Sequence, residues 1–161
     1  MKFLILNGPN INLARWSEPG VPGEVDYTGL MDYVQAGCDQ LGIETDICQS
    51  NHEGDLIDEI QSAPGRVDGI VLNPGGYAHY SVAILDALRQ NGVVLFIDRP
   101  VEALAVGGDR PLSSSAEALR TMEAQRRPLY LAAADAVVPN TGTLAETLAA
   151  AQEALDEIFD S

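Results

Sequence analysis

At 161 residues the chain is near the usual size of one domain and can bury roughly two thirds of the surface its unfolded form exposes, without disulfide or metal staples. Hydrophobic residues make up 46% and charged residues 20%, and no apolar run reaches the length of a membrane span. Nine Lys and Arg against 24 Asp and Glu give a formal charge of −15, which argues against nucleic acid and anionic membranes as partners; an anionic ligand would need local cationic or N–H donors.

The apolar run within Met1 to Pro9 is too short for a signal peptide and lacks a small-residue cleavage site, so it predicts a first buried strand, Phe3 to Leu6, in a cytoplasmic protein. Residues 10–26, with Pro19, Gly20, Pro22 and Gly23, follow that strand where a doubly wound sheet places its ligand crevice, and form a candidate lid. A helix is expected from Tyr27 to Leu41: Tyr27, Leu30, Val34, Cys38 and Leu41 fall on one stripe, Asp26 serves as N-cap, and Gly42 closes the C-terminus.

Further along the chain come a strand at Glu44 to Cys48, a helix at Gly54 to Ser62 and a strand at Gly69 to Leu72. A helix at Ser81 to Gln90, with Ser81 as its cap, and a strand at Val93 to Ile97 follow. A long loop over about 98–114, carrying Pro100, Gly107, Gly108 and Pro111, again lies at the ligand-binding edge and reads as an insertion. The last elements are a helix at Ser115 to Gln125, a strand at Ala134 to Val138 and an amphipathic helix at Thr143 to Ile158. Strands alternating with helices from end to end predict one α/β domain over 1–161, a doubly wound five-stranded parallel sheet in three α/β/α layers. Cys38 and Cys48 have no metal-ligand spacing and read as packed free thiols.

Strand ends of such a sheet deliver side chains to one rim. After the first strand come Asn7, Gly8, Pro9, Asn10 and Asn12; after the second, Gln49, Ser50, Asn51, His52 and Glu53; after the third, Asn73 to Tyr80. Both histidines of the chain, His52 and His79, fall there among amides, a pattern suited to binding and proton transfer. Gly75-Gly76 lets backbone approach a ligand closely and leaves N–H groups for a carboxylate; a tight turn is the plainer reading of Asn-Pro-Gly-Gly.

The blocks Asn7-Gly8-Pro9-Asn10-Ile11-Asn12-Leu13, Gln49-Ser50-Asn51-His52-Glu53-Gly54 and Asn73-Pro74-Gly75-Gly76-Tyr77-Ala78-His79, with Asp86 downstream, resemble the signatures of type II dehydroquinases in order and spacing. The resemblance runs without gaps over about residues 1–98 and then weakens. It implies a flavodoxin-like subunit that assembles as a homo-oligomer, a trimer or a dodecamer, and removes water from 3-dehydroquinate with no metal or cofactor. By position, the resemblance makes Asn10 the holder of an enolate-stabilising water and Glu53 an acidic partner of the catalytic groups. It makes Asn73 and His79 substrate-binding, and Asp86 an aspartate reaching a neighbouring subunit's site; Gly76 joins the binding residues on the backbone argument above.

Departures from the family pattern fall on the proton-transfer groups. Aligned without gaps, the family's lid arginine meets Ser17, its lid tyrosine Pro22, and its strand-four histidine Asp98. Tyr27 and Arg15 can replace the first two only if the first helix starts later, and Asp98, with Arg99 beside it, is the remaining candidate acid. A later substrate-binding arginine meets Ala124, with Arg126 and Arg127 near and Arg110 in the inserted loop. Three readings follow: a lyase of altered chemistry acting on a small cyclic carboxylate, a true 3-dehydroquinate dehydratase with relocated groups, or a non-catalytic binding homologue.

Overall fold

Alternation of side chains across Lys2–Asn7 fits a strand with two apolar faces, and in the computed structural model this segment is β1. The structure describes residues 1–15, 25–103 and 116–160. Two compact units divide the chain, Met1–Asn91 and Gly92–Ser161.

The first unit contains β1, α1 (Tyr27–Gln40), β2 (Glu44–Gln49), α2 (Glu53–Ser62), β3 (Gly69–Asn73) and α3 (Val82–Asn91). Its strands hydrogen-bond in the order β2-β1-β3, all parallel. The register sets Asn7 opposite both Gln49 and Asn73, so the three strands finish in line and their following loops emerge at one edge. Leu4 and Leu6, two apart on β1, share a face and meet Leu56 and Ile60, four apart on α2; all four are fully buried, with Ile84 and Ala87 of α3 closing the cluster. Each such leucine or isoleucine contributes roughly 1.5–3 kcal/mol of burial free energy.

Local signals end the helices where the sequence places the ends. Asp26 caps α1 by accepting from the Gly29 N–H at 2.9 Å. At the other end Gly42 takes a φ of 68°, which lets its N–H reach the Asp39 carbonyl at 3.1 Å and the Ile43 N–H reach the Cys38 carbonyl at 2.9 Å. Ser81 Oγ accepts from the Ile84 N–H at 2.9 Å and starts α3.

The second unit contains β4 (Leu95–Asp98), α4 (Ala116–Ala133), β5 (Ala136–Pro139) and α5 (Leu144–Phe159), with β4 and β5 paired in parallel. Fully buried Val138 anchors β5. Thr143 and Glu146 form a reciprocal capping box at the start of α5. The largest departure from expectation is at the end of α4, which does not stop at Gln125 but runs through Pro128 to Ala133; β4 and β5 each start two residues later than expected. Proline removes one helical N–H and crowds the preceding turn, yet the residues on either side of it are held by β4. Arg127 pairs with Asp98, and the Tyr130 ring lies 4.9 Å from that of Phe96. Strands alternating with five α-helices, three paired in parallel in the first unit and two in the second, give the expected flavodoxin-like α/β fold among the described residues; in place of one five-stranded sheet, the hydrogen-bonded pairs form a three-stranded and a two-stranded sheet. No described helix is long and apolar enough to cross a membrane.

Candidate functional site

In the first unit, a network of amides ties the three strand-end loops together. The Gly8 N–H donates to the Asn73 carbonyl at 2.8 Å, and Gln49 Nε2 donates to the Gly8 carbonyl at 3.3 Å. Asn51 Oδ1 accepts from the Asn10 N–H and from Gln49 Nε2, both at 3.0 Å, while the Tyr77 hydroxyl donates to the Asn51 carbonyl at 2.8 Å. The loops are packed as tightly as they are bonded: a Cβ on Gly8 would stand 2.5 Å from the Pro74 carbonyl oxygen.

Within this frame Asn10 is exposed and has a φ of 64°, the sole positive φ of a non-glycine residue among those described. It opens the short helical turn Ile11–Leu13, but its side chain makes no capping hydrogen bond. Glu53 begins α2, and Ser50, nearly buried, bridges that start by donating to Asp55 at 2.6 Å and accepting from the His52 N–H at 3.0 Å. Asn73 ends β3, and its Oδ1 lies 3.4 Å from the Gly75 nitrogen. Gly76 and His79 lie on the turn Gly75–His79; around Gly76 a Cβ would meet nothing within 4 Å, whereas one on Gly75 would stand 3.0 Å from the Pro9 carbonyl oxygen.

Tyr27 is the first residue of α1, and its hydroxyl accepts from Asn7 Nδ2 at 3.4 Å. The phenol therefore reaches the end of β1 without any shortening of the helix, which keeps its expected start. Asp86 is exposed on α3. The first unit thus brings Asn10, Tyr27, Glu53, Asn73, Gly76 and His79 to the loops around one set of strand ends. Asn51 and Tyr77, which follow the second and third strands and carry no role in the sequence reading, are the residues that join those loops. Ser17 and Pro22, most of the candidate lid, Arg110 and most of the 98–114 loop lie outside the described residues.

Asp98 and Arg99 belong to the second unit, at the end of β4. Both Asp98 oxygens are taken by Arg127, at 2.8 and 2.7 Å in a bidentate pair, and this hydrogen-bonded carboxylate raises the guanidinium's pKa above its ordinary value. The cation beside Asp98 is Arg127 rather than its sequence neighbour Arg99, which reaches Asn140 Oδ1 at 3.5 Å. Asp98, Arg99 and Arg127 line a cavity of ≈ 220 Å³ together with Phe96, Arg126 and Tyr130. Cys48 packs against the first unit's core, where burial, then Glu59 and Asp55, push its thiol pKa up, as befits a packed, unreactive cysteine. Among the described residues no group of three or more His, Cys, Asp or Glu is arranged to hold a metal ion.

The sequence model of the dehydroquinase class II family matches residues 1–97, the stretch holding all three tied loops. The chain belongs to the type II dehydroquinase family. Among curated dehydroquinases, it is 49% identical over 89 residues to the 3-dehydroquinate dehydratase of Lachnospira eligens, covering 55% of this chain and 60% of that protein. It is 46% identical over 89 residues to the 3-dehydroquinate dehydratase of Clostridium acetobutylicum, covering 55% and 62%. The matched segment therefore spans about three fifths of the length of these relatives.

The crystal structure of the type II dehydroquinase from Butyrivibrio crossotus is similar over 96% of this chain and 97% of its own, with a TM-score of 0.60 and 29% identity. A second model, that of the shikimate kinase family, matches residues 51–159, and over that stretch the chain also belongs to the shikimate kinase family. The dehydroquinase match ends at 97 and the kinase match alone continues, close to the division between the two units after Asn91.

Proposed function

We propose that this chain is a dehydroquinase-like lyase acting on a small, polyhydroxylated cyclic carboxylate, with proton-transfer groups that differ from the family's usual set. The observation that carries the reading is the position of the Tyr27 hydroxyl, 3.4 Å from Asn7 Nδ2 at the strand end that leads into Asn10. As its phenolate, Tyr27 can take the proton next to a carbonyl and become the phenol, Asn10 can hold the water that stabilises the resulting enolate, and Glu53 is the acidic partner. Asn73, His79 and the open backbone at Gly76 hold the carboxylate and hydroxyls. In an assembled homo-oligomer, Asp86 faces a neighbouring subunit's ligand.

The names of the two matching families support the substrate class, since 3-dehydroquinate and shikimate are both hydroxylated six-membered rings bearing one carboxylate. Kinase chemistry is the weaker reading. The chain has no G-x-x-x-x-G-K-[ST] loop, and its sole lysine, Lys2, lies in β1 paired with Asp46 at 2.9 Å. In the second unit, taken by itself, Asp98 is a carboxylate held by Arg127 in a bidentate pair, with Arg99 following it in the chain. Acid catalysis by Asp98 would require Arg127 to release one carboxylate oxygen.

The test mixes purified protein with 3-dehydroquinate and follows the conjugated-enone absorbance of the dehydration product, with His79→Ala and Tyr27→Phe as partners. Turnover that falls by about 10²–10⁴-fold in Tyr27→Phe supports a relocated base. Turnover unchanged in that variant removes Tyr27 from the mechanism. A folded protein that binds 3-dehydroquinate without converting it is a binding homologue.

A further inference from the structure

We infer that Asn51 is a positioning residue that holds Asn10 in its active conformation; this rests on the proposed role of Asn10 as the holder of the enolate-stabilising water. Asn10 has a φ of 64°, a left-handed backbone state that costs L-residues other than glycine of order 1–3 kcal/mol, asparagine the least, and that persists where the surroundings hold it. Here the enforcing contact is identifiable. The Asn10 N–H donates to Asn51 Oδ1 at 3.0 Å, and no capping bond from Asn10's own side chain contributes.

Asn51 is itself fixed on both sides. Its Oδ1 also accepts from Gln49 Nε2 at 3.0 Å, and Gln49 in turn reaches the Gly8 carbonyl at 3.3 Å, two residues before Asn10. Its main-chain carbonyl accepts from the Tyr77 hydroxyl at 2.8 Å, so the Asn73–His79 loop fixes the backbone from which the side chain projects. Asn51 is exposed and adds nothing to the core, so a packing role does not explain it. One carboxamide oxygen thereby sets the direction of Asn10 relative to the other two loops. An error of about 1 Å in such a group costs on the order of 10²-fold in rate.

The test compares wild type, Asn51→Ala and Asn51→Asp. Aspartate keeps an acceptor at the same place, whereas alanine removes it. Residue-resolved amide exchange is followed at Asn10, and kcat and KM are measured with 3-dehydroquinate. The inference expects Asn10 exchange at least about tenfold faster in Asn51→Ala, with kcat down about 10–10²-fold and KM within about threefold of wild type. Asn51→Asp restores slow exchange and most of kcat, its added charge being read in KM. Equal Asn10 exchange in Asn51→Ala and wild type overturns the inference, as does unchanged kcat in Asn51→Ala or failure of Asn51→Asp to restore exchange. A wild type that does not convert 3-dehydroquinate refutes the proposed reaction instead, and the exchange comparison still decides whether Asn51 holds Asn10.

Discussion

Two glycines of the strand-end loops make opposite predictions, because one is hemmed in and the other is not. A methyl group added at Gly8 would meet the Pro74 carbonyl at 2.5 Å from its oxygen and 2.6 Å from its carbon, both backbone atoms that cannot swing aside. Gly8→Ala must therefore push the first and third loops apart, at about 1–3 kcal/mol, the usual range for overpacking. Gly76 has nothing within 4 Å of the same construction and no left-handed backbone, so Gly76→Ala should leave stability unchanged or raise it by about 0.4–1 kcal/mol.

If this open backbone receives the ligand, the new methyl group occupies ligand space, and an ill-fitting methylene in a pocket typically costs about 10–200-fold in kcat/KM. Urea denaturation and initial rates on the same two variants provide the assay. The reasoning is refuted by a Gly76→Ala enzyme with unchanged kcat/KM and ligand affinity, or by one that loses more than about 2 kcal/mol of stability.

Asp98→Asn should destabilise the second unit modestly, since a neutral amide offers the Arg127 guanidinium only one acceptor and no charge; chemical denaturation measures it. Arg127→Lys should recover only part of that stability, since an ammonium cannot reproduce the bidentate pair. Thr143→Ala should cost about 1 kcal/mol by removing the N-cap of α5. Hydrogen bonds from the Thr143 N–H and hydroxyl hold the Glu146 pKa below the usual carboxylate range. A lowered folded-state pKa means stability present above the unfolded value and lost as pH falls through the folded one. Glu146→Gln should thus lie furthest below wild type near neutral pH and converge with it in acid, as read by denaturation across pH.

Helix ends were legible because they depend on short-range chemistry: Asp26, Gly42 and Ser81 make their bonds within a few residues, and all three caps are where the sequence puts them. The rim was legible for the same kind of reason, since each strand's end fixes which residues follow it. Contacts between distant segments were not. Nothing local distinguishes Asn51 from Asn12 or His52, and its importance appears only when strand register brings Asn10 and Tyr77 to it from 41 positions before and 26 after. Likewise the helix expected to end at Gln125 continues past Pro128, where Asp98 and Phe96 of β4 contact Arg127 and Tyr130 on either side of the proline. Asp98 illustrates the functional stake in such contacts. From sequence its neighbour Arg99 was the natural partner, but the bidentate grip of Arg127 occupies both oxygens that a general acid needs. The partner of Asp98 is therefore set by a contact made 29 residues away, whereas the loops of the first unit are tied to one another at their three strand ends.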